Sequence, residues 1–121
     1  MSWALDTQRL VSQWMRAWAS GEPFEVDFEG LALELHAYQR QQIAAFDLYC
    51  RSRRPSAHEY HELPFVPVGA YKIAQMYSSE ALASSKVRFE TSGTSDGRPG
   101  TIELSDTRLY DLSLRASFHH F

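Results

Sequence analysis

Val87-Arg88-Phe89-Glu90-Thr91-Ser92-Gly93-Thr94-Ser95-Asp96-Gly97-Arg98-Pro99-Gly100-Thr101-Ile102-Glu103-Leu104 is the stretch on which the fold turns. Its first five residues alternate apolar and polar side chains, the period of a half-buried strand, and Thr101–Leu104 reads as a second strand. The segment between them is rich in glycine and hydroxyl side chains. Glycine lets the backbone approach an anion closely and accept positive φ, so that successive N–H groups can converge on phosphate oxygens. Thr and Ser hydroxyls add donors with little bulk, and Arg98 adds charge. The common P-loop is excluded, because no Gly-Lys-Ser or Gly-Lys-Thr follows. The alternative is structural: Asp-Gly is a favoured turn pair, and Asp96-Gly97 could close a β-hairpin. Both readings stand at this level.

Outward from the loop, Ser105-Asp106 reads as the cap of a last helix. Leu109, Leu112 and Ala116 fall on one side of it, with Tyr110, Leu114 and Phe121 near the other. A helix apolar on both sides calls for burial on both sides. The sequence then stops at Phe118-His119-His120-Phe121 without a capping Gly or Pro, and the expectation is that the chain is the front portion of a longer protein. On the other flank, Leu63-Pro64-Phe65-Val66-Pro67-Val68 reads as a rigid extended segment, since its prolines hold their neighbours extended and cannot donate to a ladder.

Before Pro55 the pattern is helical. Leu10, Val11, Trp14, Met15 and Trp18 form one stripe, with Asp6 as N-cap and Gly21 and Pro23 as the stop. From Asp27, the residues Leu31, Leu35, Tyr38, Ala45, Phe46 and Tyr49 carry a second stripe up to Arg51-Ser52-Arg53-Arg54. These spacings predict helices over about 6–19 and 28–52, packed on each other through Trp14, Trp18, Leu35, Tyr38 and Phe46. The three arginines at the end, Arg51, Arg53 and Arg54, can be read as an anion site, but cations suit the negative end of a helix, and a solvated terminus is the preferred reading. The fold class is therefore α+β (or α/β), with a helical region over 1–55 and a second region over 56–121.

Two stretches together carry a family resemblance. Thr91-Ser92-Gly93-Thr94-Ser95 with Gly97-Arg98-Pro99 resembles the phosphate loop of adenylate-forming enzymes, hydroxyl-Ser-Gly-Thr-Thr/Ser-Gly-x-Pro-Lys. Leu63-Pro64-Phe65-Val66-Pro67-Val68-Gly69-Ala70-Tyr71-Lys72 resembles the Pro-Phe-x-Pro stretch that precedes this loop in the acyl-protein synthetases of the bacterial bioluminescence fatty-acid reductase system. The resemblance covers residues 63–121 well and 1–55 in outline. It makes 56–121 the start of an AMP-binding domain, cut short at its carboxyl end. It implies an ATP-dependent ligase that activates a long-chain fatty acid, or another carboxylate, as an acyl-adenylate and then a thioester, with an acyl-accepting protein as partner. ATP and Mg²⁺ would be the cofactors. Thr91, Ser92, Gly93, Thr94, Ser95, Gly97 and Arg98 would bind the nucleotide, with Thr91 anchoring the strand end. Asp96 is an extra residue in this pattern, and Gly100 stands where Lys is frequent. The catalytic lysine and the acyl-accepting cysteine of the family lie beyond the matched positions, so no catalytic residue is assigned here. The fragment alone would be inactive. The alternative from a different class is a non-catalytic helical interaction domain whose glycine-rich loop is a β-hairpin.

Composition narrows the partners. Across 121 residues, 12 Lys+Arg against 15 Asp+Glu give a net charge of −3, which leaves no basic surplus for a phosphate backbone and argues against nucleic acid. No apolar run approaches the roughly 20 residues of a membrane helix. The amino terminus lacks the basic and apolar regions of a signal peptide, and the single cysteine, Cys50, cannot form an internal disulfide. These features predict a cytoplasmic protein without a membrane span. Cys50, late in an amphipathic helix, reads as a small core residue. His58 and His61 are i, i+3, but the zincin spacing needs a second His where Glu62 stands, so no metal site is assigned and the segment reads as a polar connector. Lys72 reads as a surface lysine, or as support for the loop.

Overall fold

A computed structural model describes residues 2–53, 56–92 and 97–120, the last of these by its backbone. Helices dominate, and the single ladder among the described residues is antiparallel, so the chain is α+β. In order, the elements are α1 (Trp3–Ser20), α2 (Phe28–Gln42), α3 (Ala44–Arg53), a 3₁₀ turn (Tyr60–Glu62), α4 (Ala70–Ile73), α5 (Ser79–Ala83), β1 (Val87–Glu90), β2 (Thr101–Leu104) and α6 (Arg108–His120). They fall into two compact units, residues 1–27 with 107–121 and residues 28–106. No helix among the described residues is long and apolar enough to cross a membrane.

The first unit pairs α1 with α6. Helix α1 starts at Trp3 rather than after Asp6, because the Ser2 hydroxyl accepts the Leu5 N–H at 3.4 Å and serves as N-cap. Asp6 lies instead in the first turn, where its charge suits the positive end of the helix. The helix closes at Gly21 as expected, with its N–H donating to the Ala17 and Trp18 carbonyls. The partner of α1 is α6, and the partner of α2 is α3. Each helix of the α1–α6 pair buries an alanine, Ala17 and Ala116, and small side chains at a helix contact let the axes approach. Trp14 is half-buried and Trp18 remains 41% exposed. In α6, Leu109 and Leu112 are half-buried on the side of Ala116, whereas Tyr110, Leu114 and Phe118 are exposed. The first turn of α6 is organised by Thr107: its carbonyl accepts from Asp111 N at 2.8 Å, and its hydroxyl donates to the Asp111 carboxylate at 2.9 Å.

The second unit holds the core formed by Phe46, Cys50 and Met76, with Ile43, Val66, Ala70, Tyr71 and Ala74 packed against it. One expected helix over 28–52 is two, broken at Ile43 without a glycine or proline. The physical sign of the bend is a pair of rings. His36 and Phe46 lie with centroids 5.4 Å apart, edge to face. Ten residues of straight helix would rise about 15 Å and keep the rings apart. Burial of Phe46 therefore folds α3 back onto α2. Cys50 is fully buried, a core residue as its position suggested, and burial pushes its thiol pKa up, which keeps it protonated and inert.

Strand β1 pairs with β2 in the register Val87↔Leu104, Arg88↔Glu103, Phe89↔Ile102 and Glu90↔Thr101. Helices α4 and α5 pack against β2, so β2 is the more buried strand. Its Glu103 is 3% exposed, yet fully satisfied: Arg88, directly across the ladder, donates from Nε at 2.5 Å, and the Ser85 hydroxyl donates to the other oxygen. Both contacts hold the Glu103 carboxyl below the usual range, Ser85 first and Arg88 next.

Candidate functional site

The glycine-rich loop is built on the end of the β1–β2 ladder. Past Glu90 and Thr101 the chains stay together for one more step, where Thr91 N donates to the Gly100 carbonyl at 2.9 Å. The Thr91 hydroxyl returns the contact by accepting the Gly100 N–H at 2.7 Å. Both backbone groups of Gly100 are thus committed to Thr91, which ties the mouth of the loop shut. Ten residues, 91–100, separate the two strands, and the Asp96-Gly97 turn weighed in the sequence falls in part outside the described residues.

Gly100 is buried, and the reason is local crowding. A Cβ there would stand 3.1 Å from the Tyr71 Cβ, 3.4 Å from the Tyr71 carbonyl carbon and 3.4 Å from the Thr91 hydroxyl. Glycine at this position lets the loop mouth lie directly on α4. Helix α4 is itself the end of the Leu63–Lys72 stretch, and that stretch is pinned from the other side, where the Tyr49 hydroxyl donates to the Phe65 carbonyl at 2.5 Å. The Phe65 side chain is 91% exposed. Residues 64–67 carry no regular structure, and Val68 and Gly69 turn into α4. Lys72 is half-buried in α4 next to Tyr71, in place of the expected surface position.

Within the loop, Ser92 and Arg98 are exposed. Gly97 has φ +75°, a conformation that favours glycine, with nothing among the described residues within 4 Å of where a Cβ would stand. Gly93, Thr94, Ser95 and Asp96 lie outside the described residues. The polar connector forms a capped 3₁₀ turn. Glu62 accepts from His58 N at 2.7 Å and Glu59 N at 3.3 Å, and His61 lies 3.0 Å from the Glu59 carboxylate. Among the described residues, no three His, Cys, Asp or Glu side chains converge as metal ligands do.

A second concentration of polar groups lies where α3 folds back onto α2. Asp47 accepts Arg40 Nε on one oxygen at 2.6 Å and Arg51 Nε on the other at 2.8 Å. The Arg40 hydrogen bond, with both positive charges, holds the Asp47 carboxyl below its ordinary range. His36 lines the same cleft, and its pKa is lowered by burial and then by Arg40. The sequence singles out Arg51 among the terminal arginines but not the rest of this cluster, which comes together once the helix breaks at Ile43. The i, i+4 spacings of His36 with Arg40 and of Asp47 with Arg51 are the local signals.

No family model, curated protein or solved structure matches this chain.

Proposed function

We propose that this chain is the amino-terminal portion of an ATP-dependent acyl-activating ligase similar to acyl-protein synthetases, with residues 56–121 opening its adenylate-forming domain. On this reading a fatty acid or other carboxylate attacks the α-phosphorus of ATP, pyrophosphate leaves, and the acyl group passes from the adenylate to a thiol of a partner protein. Ser92, Gly93, Thr94, Ser95 and Gly97 line the phosphates, Arg98 adds charge, and Thr91 holds the loop mouth. Mg²⁺, held chiefly by the phosphate oxygens, would neutralise charge on the departing pyrophosphate.

The observation that supports this reading best is the seating of Gly100 on Tyr71. The two stretches that carry the resemblance, one ending the Pro-Phe segment and one closing the glycine-rich loop, meet there in space. Fatty-acid-dependent pyrophosphate exchange tests the proposal, measured on the protein from the complete reading frame that contains these residues. Thr94→Ala should lower exchange by about tenfold to a hundredfold, the loss of one hydrogen bond to a charged group. Deleting Asp96, a carboxylate beside the phosphates, should be tolerated.

A second reading draws on the antiparallel ladder and on the exposed Phe65, Val68 and Ile73: a non-catalytic interaction module whose loop only joins two strands. It predicts no exchange, a harmless Thr94→Ala and an unfolded Asp96 deletion.

A further inference from the structure

Thr91 N donates to the Gly100 carbonyl, and an antiparallel ladder alternates hydrogen-bonded with non-hydrogen-bonded pairs. Val87 and Phe89 therefore turn their backbone groups toward β2, and the N–H and C=O groups of Arg88 and Glu90 point to the outer edge of β1. Among the described residues β2 is the one strand that pairs with β1, and β1 is exposed from Arg88 to Glu90. Helices α4 and α5 pack against β2 rather than β1. An unpaired edge of this kind is a template for another strand.

The side chains of β1 complement their own copy in one register. An antiparallel approach about a two-fold axis at Phe89 sets Arg88 opposite Glu90 of the second copy, and Glu90 opposite its Arg88. These are the two residues whose backbone groups face outward, so each such pair closes two N–H···O=C bonds. Phe89, 38% exposed, meets its own copy at the non-hydrogen-bonded position, where cross-strand side chains come closest. A shift of two residues in either direction sets Arg88 opposite Arg88 or Glu90 opposite Glu90, and like charges directly opposite are destabilising. Within the chain, Arg88 holds Glu103 through Nε at 2.5 Å and has a terminal nitrogen 3.7 Å from Glu90, and both edge side chains are about half exposed. The row Glu103, Arg88 and Glu90 of the copy then alternates in sign across the sheet.

We propose that β1 pairs antiparallel with β1 of a second copy of this chain in that register, joining two ladders into one four-stranded sheet, β2–β1–β1–β2. A ladder of two short strands is marginal alone, and widening it adds support to both copies. The contact is small, so the dimer is weak and concentration-dependent. The pairing does not depend on the ligase reading.

Sedimentation equilibrium and amide hydrogen exchange of the full chain, each over a range of concentrations, test this. A reversible monomer–dimer equilibrium is expected. As concentration rises, exchange should slow most at Arg88 and Glu90, whose amides face outward, and least at Phe89, which is already paired to β2. Glu90→Lys leaves the Arg88–Glu103 pair in place and sets a cation opposite Arg88 of the copy, so it should weaken the dimer by about tenfold. Glu90→Gln, which removes the attraction without adding a like charge, should weaken it less. A chain that stays monomeric at its highest soluble concentration, with unchanged exchange at Arg88 and Glu90, would overturn the proposal. So would a dimer whose added protection lies elsewhere, as on the exposed side of α6, or one that Glu90→Lys leaves unchanged.

Discussion

The loop on β1–β2 and the cleft between α2 and α3 both concentrate polar groups, and they do it by opposite means. The loop is a contiguous run of glycine and hydroxyl residues with Arg98 near its end. The cleft draws on residues 36, 40, 41, 47, 51 and 56, and its donors are long side chains oriented by a shared carboxylate. The base of the loop is held by two hydrogen bonds between Thr91 and Gly100 and by the fit of Gly100 on Tyr71. The cleft is held by apolar burial, chiefly Phe46 against Cys50 and Met76, with the His36 ring laid on Phe46. A backbone site therefore depends on local chain geometry, and a side-chain site on a distant core.

Phe46→Ala should have the largest effect. Removing a core phenylalanine costs about 3–5 kcal/mol, and here it also removes the ring that holds His36 and the bend. Denaturant unfolding should show that loss, and the His36 ring resonance should move toward its solvent-exposed position. If the bend survives Phe46→Ala with little loss of stability, the contrast between the two sites fails on the cleft side.

Thr91→Val is the matching change at the loop. It keeps the shape and removes the acceptor for the Gly100 N–H, so a partly buried donor is left without its partner, at a cost of about 1–3 kcal/mol. Amide exchange at Gly100 should accelerate while the His36–Phe46 contact is kept. Equal disturbance of the cleft would show that the two sites are not separately supported.

The smallest effects are in pH dependence, where the two regions should separate into different windows. His36 has a lowered folded pKa, so the native state disfavours its protonation: its contribution is present above the ordinary imidazole value of 6.5 and is lost as pH falls through that range. Glu103 is also lowered, from an ordinary 4.5, by Ser85 and Arg88; its contribution is present above 4.5 and is lost on further acidification. Asp47 adds to the same acid window from the cleft. Stability measured against pH should lose its inflection near 6.5 in His36→Gln, and part of its lower inflection in Glu103→Gln. A single inflection that ignores both substitutions would remove the electrostatic distinction.

Much of the local structure was legible in the residues themselves. Alternation marked β1 and β2, and Gly21 marked the end of α1. The errors have specific causes. Asp6 reads as the cap, but Ser2 holds that role through its bond from Leu5 N, and Asp6 lies in the first turn. The break at Ile43 has no glycine or proline to announce it; the gain comes from burying Phe46, which the helical period of residues 28–52 does not encode.

By itself, then, the sequence determined what depends on neighbours along the chain: helix and strand periodicity, helix stops, and a glycine- and hydroxyl-rich run between two strands. The tertiary structure alone decided which helix packs on which, that Gly100 must be small because Tyr71 lies against it, and that Arg40, Asp47 and Arg51 share one cleft. The physical reason is range. Backbone conformation and capping are set within a few residues, whereas burial rewards contacts without regard to separation along the chain, so partners in the core and in the cleft are chosen only when the chain folds back on itself.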